Sequence, residues 1–535
     1  MSSKRSSYQV SEIMRRVKSK DTGPEISFRK ALWSKGVRYR LHCDDLPGKP
    51  DLVIPKARLA VFIDGDYWHG NQWQRRGYAS LRDQFVASPH ADYWIGKISG
   101  NMQRDRRNAA ELVSKNWLVL RFWESEIKLR LESCIDVTMQ TIDRIALQSS
   151  ASLLPGQTFA EFFAGIGLMR MGLERRGWHI CFANDIDEEK LDIYAQNFSD
   201  YASHFLLGDI HLIQADEVPT VTLATASFPC NDLSLAGSMK GLEGSQSSAY
   251  WGFVRILTDM GSRRPPIVLL ENVTGWIHSR KGQDFKDSLL ALNNLGYSCD
   301  AFIINAMHFT PQSRQRMFVV GTQDNNHPLC VRETPSFYES DVRPKVLADY
   351  IFRHPEIDWN IRRLPRLPES NARIEDIIEY LPEDSEEWWS SQRAAYFLNQ
   401  MSEKHSDIAR CMIAGDEYRY ATAFRRVRAS GSMAELRIDG VAGCLRTPRG
   451  GSGRQILFKA GRGRYWVRLL TPRECARLQG APDSYQINVP RNQALFGFGD
   501  AVCVPVIEWI AENYLNPLVT ELTHGRPMFD IQSEG

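Results

Sequence analysis

Five short apolar runs constrain the fold of this chain more than any other feature. They are Phe159–Phe163, His179–Asn184, Val221–Ser227, Pro266–Asn272 and Met317–Thr322. Each is too short for a helix, and helical or loop segments separate them. Strands alternating with helices build a wound α/β sheet, and all five are expected to run parallel. Ahead of them residues 146–158, ALQSSASLLPGQT, are small and polar and then turn through Pro-Gly, which marks a joint. The expected division is a first domain over 1–145, a linker over 146–157 and a second domain beginning at 158–324. Between about 325 and 440 the alternation fades while Pro, Trp and acidic residues rise, as in an irregular insert. Order returns over 441–520, with a last helix near Val504–Tyr514 and a tail at 521–535.

At 535 residues the chain needs more than one core. Its 43% hydrophobic and 24% charged content excludes disordered and fibrous classes. No run of about 20 apolar residues stands out, so no membrane span is expected. The start, MSSKRSSYQV, lacks the apolar segment of a secretion signal. Ten cysteines are scattered without a CxxC pair, which fits a reducing, cytoplasmic setting. The net charge of +2 hides an asymmetry. Residues 1–150 hold 26 Lys/Arg against 17 Asp/Glu, or +9, and the remainder 40 against 47, or −7. The basic first part suits a polyanion partner.

In that first part Thr22, Pro24 and Glu25 open a helix that Gly36 stops. Strands are expected at Asp51–Ile54, Leu59–Ile63 and Trp117–Phe122, with a helix over 100–115.

The larger part carries groups at strand ends, where ligands bind in such sheets. Phe163-Ala-Gly-Ile-Gly-Leu168 is either a tight turn or a loop that lets backbone approach a cofactor. Asp185 follows about twenty residues on, suited to ribose hydroxyls. Cys230 follows a strand and is either a nucleophile or an inert buried thiol. Glu271 sits at the end of another strand, and Gln312-Ser-Arg-Gln-Arg316 brings two cations ahead of the last.

These elements in order, FAGIG, FPCNDLS, ENV, QSRQR, LTPRECARLQG and FGFGDAV, resemble the DNA cytosine-5 methyltransferases over roughly residues 157–515. The resemblance implies a Rossmann-like domain using S-adenosylmethionine, a target-recognition domain at 325–440 and a cytosine flipped out of double-stranded DNA. It makes Cys230 the nucleophile at carbon-6, places Glu271 at the ring N3 and Arg316 at the base's carbonyl side, and has Arg314 order the loop bearing Cys230. Gln312 falls among the DNA-contacting positions. Phe163, Gly165, Gly167, Leu168, Asp185, Ile186, Asp209, Ile210, Asp500 and Ala501 match cofactor-binding positions. Asn231, Leu233 and the pair Asp500-Ala501 depart from the family pattern.

In the smaller part Asp51 and Asp64 stand at ends of adjacent strands, where carboxylates can share a divalent cation. His69, close by, can activate a water or protonate a leaving group. Turn-forming aspartates with a hydrogen-bonded histidine are the alternative. The set DTGPE, LPGKPD, DGDYWHG, KISGNMQRDRR and NWLVLRFWE resembles the very-short-patch repair endonucleases over roughly residues 10–130. The resemblance implies a restriction-endonuclease-like α/β fold acting at T:G mismatches. Asp51 is then the metal-binding aspartate, with Mg2+ expected, and His69 the catalytic histidine. Glu25 and Asp105 match acidic positions, and Tyr67, Trp68 and Trp94 match aromatics that wedge into DNA. Where repair members build a zinc site this chain has Asp66, Asn71, Trp73 and Ser125, so no zinc is expected. Asp64 stands where a histidine is usual and can add a second metal-binding carboxylate.

Three readings of the nuclease follow: nicking beside T:G mismatches left by deaminated 5-methylcytosine, restriction of unmethylated target sites, or an inactive DNA-binding module.

Overall fold

A computed structural model describes residues 20–41, 43–78, 80–86, 88–115, 117–150, 157–229, 249–323, 334–428, 431–447 and 454–524. The chain divides into two compact units, Met1–Leu153 with 199–205 and 216–220, and the remainder.

The first unit is built on a four-stranded sheet of β1 (Arg40–Leu41), β2 (Leu52–Ile54), β3 (Leu59–Asp64) and β4 (Leu118–Trp123), in that order. β2 and β3 are antiparallel, and β3 and β4 parallel. Side chains alternate between faces, as strand geometry requires. Leu59, Val61, Leu120 and Phe122 pack with Phe28, Leu32 and Ile135 on one face, while Ala60 and Phe62 meet Leu112 on the other. The helix Gly23–Ser34 starts as expected: the Thr22 side chain caps it and Pro24 lies in the first turn. The second helix is longer than expected, Ala91–Ser114, and runs through Gly96 and Gly100. The helix Glu124–Ser150 continues past residue 146, where the linker was expected to begin. Ala146 and Leu147 are good helix formers, so nothing local ends it there.

The second unit holds a seven-stranded sheet of β5 (Thr158–Phe162), β6 (His179–Asp185), β7 (Phe205–Leu207), β8 (Leu223–Ala226), β9 (Ile267–Val273), β10 (Ser298–Asn305) and β11 (Gln315–Thr322). Their spatial order is β10-β11-β9-β8-β5-β6-β7. β5 pairs in parallel with β6 and β8, and β8 with β9. β11 corrects the sequence expectation, because it runs antiparallel to both β9 and β10. A buried apolar run looks the same in either direction, so sequence does not disclose strand polarity.

The insert also differs from expectation. Cys299 bridges Trp359, Arg343 binds Asp300, and Tyr350 packs on Phe285. Residues near 340–360 are therefore part of the body around β10. A second sheet of β12 (Arg419–Arg428), β13 (Gly431–Arg437), β14 (Ile456–Gly461) and β15 (Arg464–Leu469), ordered β13-β12-β14-β15, runs across the expected boundary at 440. Its core joins Phe397, Ala409, Ala423, Phe458 and Val467. The final helix Val504–Ile510 continues through a π turn, Ala511–Leu515, into Asn516–His524. Pro517 lacks the N–H a regular helix would need there, and the wider turn precedes it. The helical stretch Arg491–Thr523 is long and apolar enough to cross a membrane by composition, yet Val504, Ile507, Ile510, Leu515 and Leu518 are buried inside the protein.

Candidate functional site

In the larger unit the antiparallel course of β11 creates the central contact. Glu271 lies near the end of β9, and Arg316 near the start of β11. Because the strands oppose, Arg316 pairs in register with Val273, and its Nε lies 3.0 Å from Glu271 Oε1. Glu271 is buried. Next to it Asn272 Nδ2 donates to the Phe228 carbonyl at 3.1 Å, tying β9 to the segment that leads to residue 230. Asn272 was not singled out from sequence, although it is the middle residue of the Glu-Asn-Val triplet. Phe228 packs between Tyr250 and Trp276, which fixes the base of that segment. Cys230, with Asn231 and Leu233, lies outside the described residues.

Arg314 is spent on main chain, and Gln312 requires correction. Arg314 is 2% exposed, and its guanidinium donates to the carbonyls of Leu445, Gly499 and Ala501 at 2.7, 3.2 and 2.7 Å. It joins the segments around Leu445 and Ala501, while the loop bearing Cys230, which it was expected to order, lies outside the described residues. Gln312 is fully buried: Nε2 donates to Leu478 O at 3.0 Å and Oε1 accepts from Leu445 N at 3.1 Å. With its amide satisfied inside the protein, Gln312 has no group left for DNA.

At the same carboxyl edge of the sheet, two strands from β9, the loop after β5 takes left-handed backbone at Phe163 (φ 59°), Gly165 (φ 54°) and Gly167 (φ 83°). For phenylalanine this is strained, a cost that functional loops commonly carry. Gly165 N donates to Asp185 Oδ2 at 2.7 Å. Burial, partly offset by Lys190 and backbone N–H groups, raises the Asp185 pKa. Ile186 lies open beside it, 69% exposed, and Asp209 caps the turn Ile210–Leu212 through His211 N at 2.9 Å. An exposed isoleucine between two carboxylate-bearing strand ends fits a ligand with an apolar ring and hydroxyls, as in S-adenosylmethionine. Leu168 and Ile210 are buried, leaving only main chain to meet a ligand. Asp500 binds Lys190 at 2.9 Å and also Thr447, and the Ala501 carbonyl is taken by Arg314.

In the smaller unit Asp64 and Arg121 share the sheet face that carries the helix Ala91–Ser114. Arg121 Nε and Nη2 donate to the two Asp64 oxygens, each at 2.6 Å. Asp64 is therefore neutralised by a guanidinium, and the expected second metal carboxylate is not available as such. Arg121 was missed in the sequence. The signal was there, a lone arginine inside the apolar run Leu-Val-Leu-Arg-Phe-Trp. His69 Nδ1 lies 2.5 Å from Asp105 Oδ2 and 3.7 Å from Asp64 Oδ1. Burial lowers the His69 pKa, but the Asp105 hydrogen bond and both carboxylates outweigh it, and the net shift is upward.

Asp51 accepts from Ile63 N at 2.8 Å. Burial, with the charges of Glu25 and Asp64, raises its pKa to about 6 against the Ile63 hydrogen bond and Arg121. A carboxylate held in that way favours a cation that relieves it. Glu25 itself is spent on the helix start, accepting from Asp21 N at 2.9 Å and Thr22 Oγ1 at 2.7 Å. Its charge also reaches Asp51. Among the described residues no three His, Cys, Asp or Glu side chains converge as a preformed metal cage. Asp66 accepts from Asn71 Nδ2 and Ser125 Oγ, both at 2.6 Å, so hydrogen bonds join this loop to the start of the helix Glu124–Ser150. Tyr67, Trp68 and Trp94 form one half-buried cluster with centroids 5.1–5.9 Å apart.

The sequence profile of the C-5 cytosine-specific DNA methylases matches residues 157–516. The chain belongs to that family. The profile of the DNA mismatch endonuclease Vsr matches residues 3–75. Among curated relatives, the type II methyltransferase M.DsaV of Dactylococcopsis salina is 29% identical over 67% of this chain and 86% of its own. M.HhaI of Haemophilus parahaemolyticus is 28% identical over 67% of this chain and 94% of its own. The type II nicking enzyme V.NmeDIP of Neisseria meningitidis serogroup C is 35% identical over 25% of this chain and 86% of its own. This methylase is thus a cytosine-5 DNA methyltransferase that also carries a Vsr-type endonuclease domain at its N-terminus.

Proposed function

We propose that the larger unit methylates cytosine at carbon-5 in duplex DNA and that the smaller unit nicks the same kind of DNA beside T:G mismatches. The observation carrying the first half is the Glu271–Arg316 contact at 3.0 Å, next to the Asn272 anchor of the segment entering residue 230. Carbon-5 of cytosine is a weak nucleophile until something adds at carbon-6. The Cys230 sulfur forms that bond, and charge moves into the ring towards N3. Glu271 holds a proton at N3, and Arg316, neutralising Glu271 and facing the carbonyl oxygen, steadies the developing charge. When bound, S-adenosylmethionine supplies the methyl group. Carbon-5 then loses its proton, and the bond between sulfur and carbon-6 breaks. A target oligonucleotide with 5-fluorocytosine, incubated with the methyl donor, is expected to trap an adduct at residue 230. No adduct there overturns the assignment.

For the nuclease, Asp51 would hold Mg2+, which uses few protein ligands and when bound would supply positive charge for the scissile phosphate. His69, oriented by Asp105, handles the proton. The Arg121-bound state of Asp64 speaks against a restriction-type pair of metal carboxylates, which favours repair of deaminated 5-methylcytosine. Purified protein with Mg2+ should nick a hemimethylated T:G duplex and spare matched unmethylated DNA. Cutting of the matched duplex would support restriction instead, and no cutting at all an inactive module. A bacterial cytosol, where the free thiols stay reduced, is the setting we place it in.

A further inference from the structure

Arg314 presents a charge problem. It is a buried cation, and it hydrogen-bonds three carbonyls and one sulfur. Among the described residues no carboxylate hydrogen-bonds it. A buried charge is costly without an opposite charge nearby, and the neighbouring cation Arg316 adds repulsion that, after burial, lowers the Arg314 pKa. The sulfur belongs to Cys444. Its Sγ lies 3.4 Å from Arg314 Nη1 and 3.9 and 4.0 Å from Arg316 Nη1 and Nη2. Arg316 in turn holds Glu271 through Nε. One sulfur thus touches both guanidinium groups behind the methyl-transfer site.

We propose that Cys444 is a positioning residue that works as a thiolate, the counter-ion of Arg314 that also holds Arg316 against Glu271. The charged groups acting on it are Arg314, Arg316 and Arg446, with Glu271 reached through Arg316. Burial alone would push this thiol up, but the three arginines outweigh it and the net direction is downward. The protonated form has a place too, because Sγ lies 3.2 Å from the Leu445 carbonyl. The sulfur can therefore titrate in place. A neutral thiol at low pH leaves Arg314, among the described residues, with only Glu271, which does not hydrogen-bond it, as an opposite charge, and loosens Arg316 from that carboxylate.

This inference rests on the methyl-transfer reading of the same site, and two measurements separate their failures. The first needs no activity. The full-length wild-type chain is treated with iodoacetamide between pH 6 and 9, and modification of Cys444 and of the exposed Cys411 is read by peptide mass spectrometry. Only thiolates react. The ratio of Cys444 to Cys411 modification should rise as the pH falls. A constant or falling ratio, or a Cys444 that never reacts, overturns the proposal. The second measurement is kinetic. Cys444→Ser should lower kcat roughly ten- to a hundred-fold, the loss expected of one charged hydrogen bond, with little change in KM for DNA. Cys444→Asp, which restores the negative charge, should recover part of kcat and move the acid-side fall in rate to lower pH. A Cys444→Ser protein with wild-type kcat and pH profile overturns the proposal while leaving methyl transfer standing. A wild-type protein that forms no adduct at residue 230 fails the underlying reading instead.

Discussion

Arg121 clasps Asp64 through two hydrogen bonds of 2.6 Å each, with both side chains nearly removed from water. Removing one member of such a pair strands the other's charge. Asp64→Ala should therefore cost about 3–5 kcal/mol in urea unfolding of the first unit. The double variant Asp64→Leu with Arg121→Leu should recover much of that loss. If Asp64 instead served a metal, its removal would cost little stability and would weaken Mg2+ activation selectively, which a metal titration of nicking would register.

His69 and Asp105 make the next test. The raised His69 pKa means its protonated form is favoured in the folded protein. Stability from this contact is fully present below the unfolded histidine value of about 6.5 and is lost as pH rises through the higher folded value. Asp105→Asn removes the anion, so the His69 titration followed by NMR should move to lower pH. The basic limb of the nicking profile should move with it. An unmoved limb would show that another group sets the profile.

Two glycines of the cofactor loop should respond differently to a methyl group. At Gly167 an added Cβ would lie 2.4 Å from Phe198 and 2.9 Å from Tyr194, both firmly packed. At Gly165 the nearest atoms are 4.0 Å away. Gly165→Ala should cost about 1–2 kcal/mol from its left-handed backbone alone, and Gly167→Ala should cost distinctly more through overpacking. Thermal melts compare the two. Calorimetry with S-adenosylmethionine should show weaker binding in Gly167→Ala.

Gln312 offers a negative test for DNA contact. Its amide is enclosed, so Gln312→Ala should destabilise the larger unit by about 1–3 kcal/mol. DNA affinity of the folded fraction should stay unchanged in a fluorescence titration, including its salt dependence. A lost phosphate contact would lower the salt slope by about 1.

The sequence by itself determined the parts that depend on neighbours along the chain. Thr22 capping a helix, Gly-rich backbone after β5, and carboxylates at strand ends are local, and each stands where its residue pattern put it. Motif order sufficed to identify both families. What the chain could not disclose depends on pairing across long separations. β10 went unseen because Asp300 interrupts its apolar run, and its partners Arg343, Tyr514 and the Arg362 main chain are all distant in sequence. The direction of β11 was hidden because burial pattern is indifferent to polarity, yet that direction alone brings Arg316 to Glu271. Likewise Asp64 read as an open carboxylate until Arg121, 57 residues on, closed over it. A side chain's type is written in the chain; which opposite charge occupies it is settled only when the strands and helices pack.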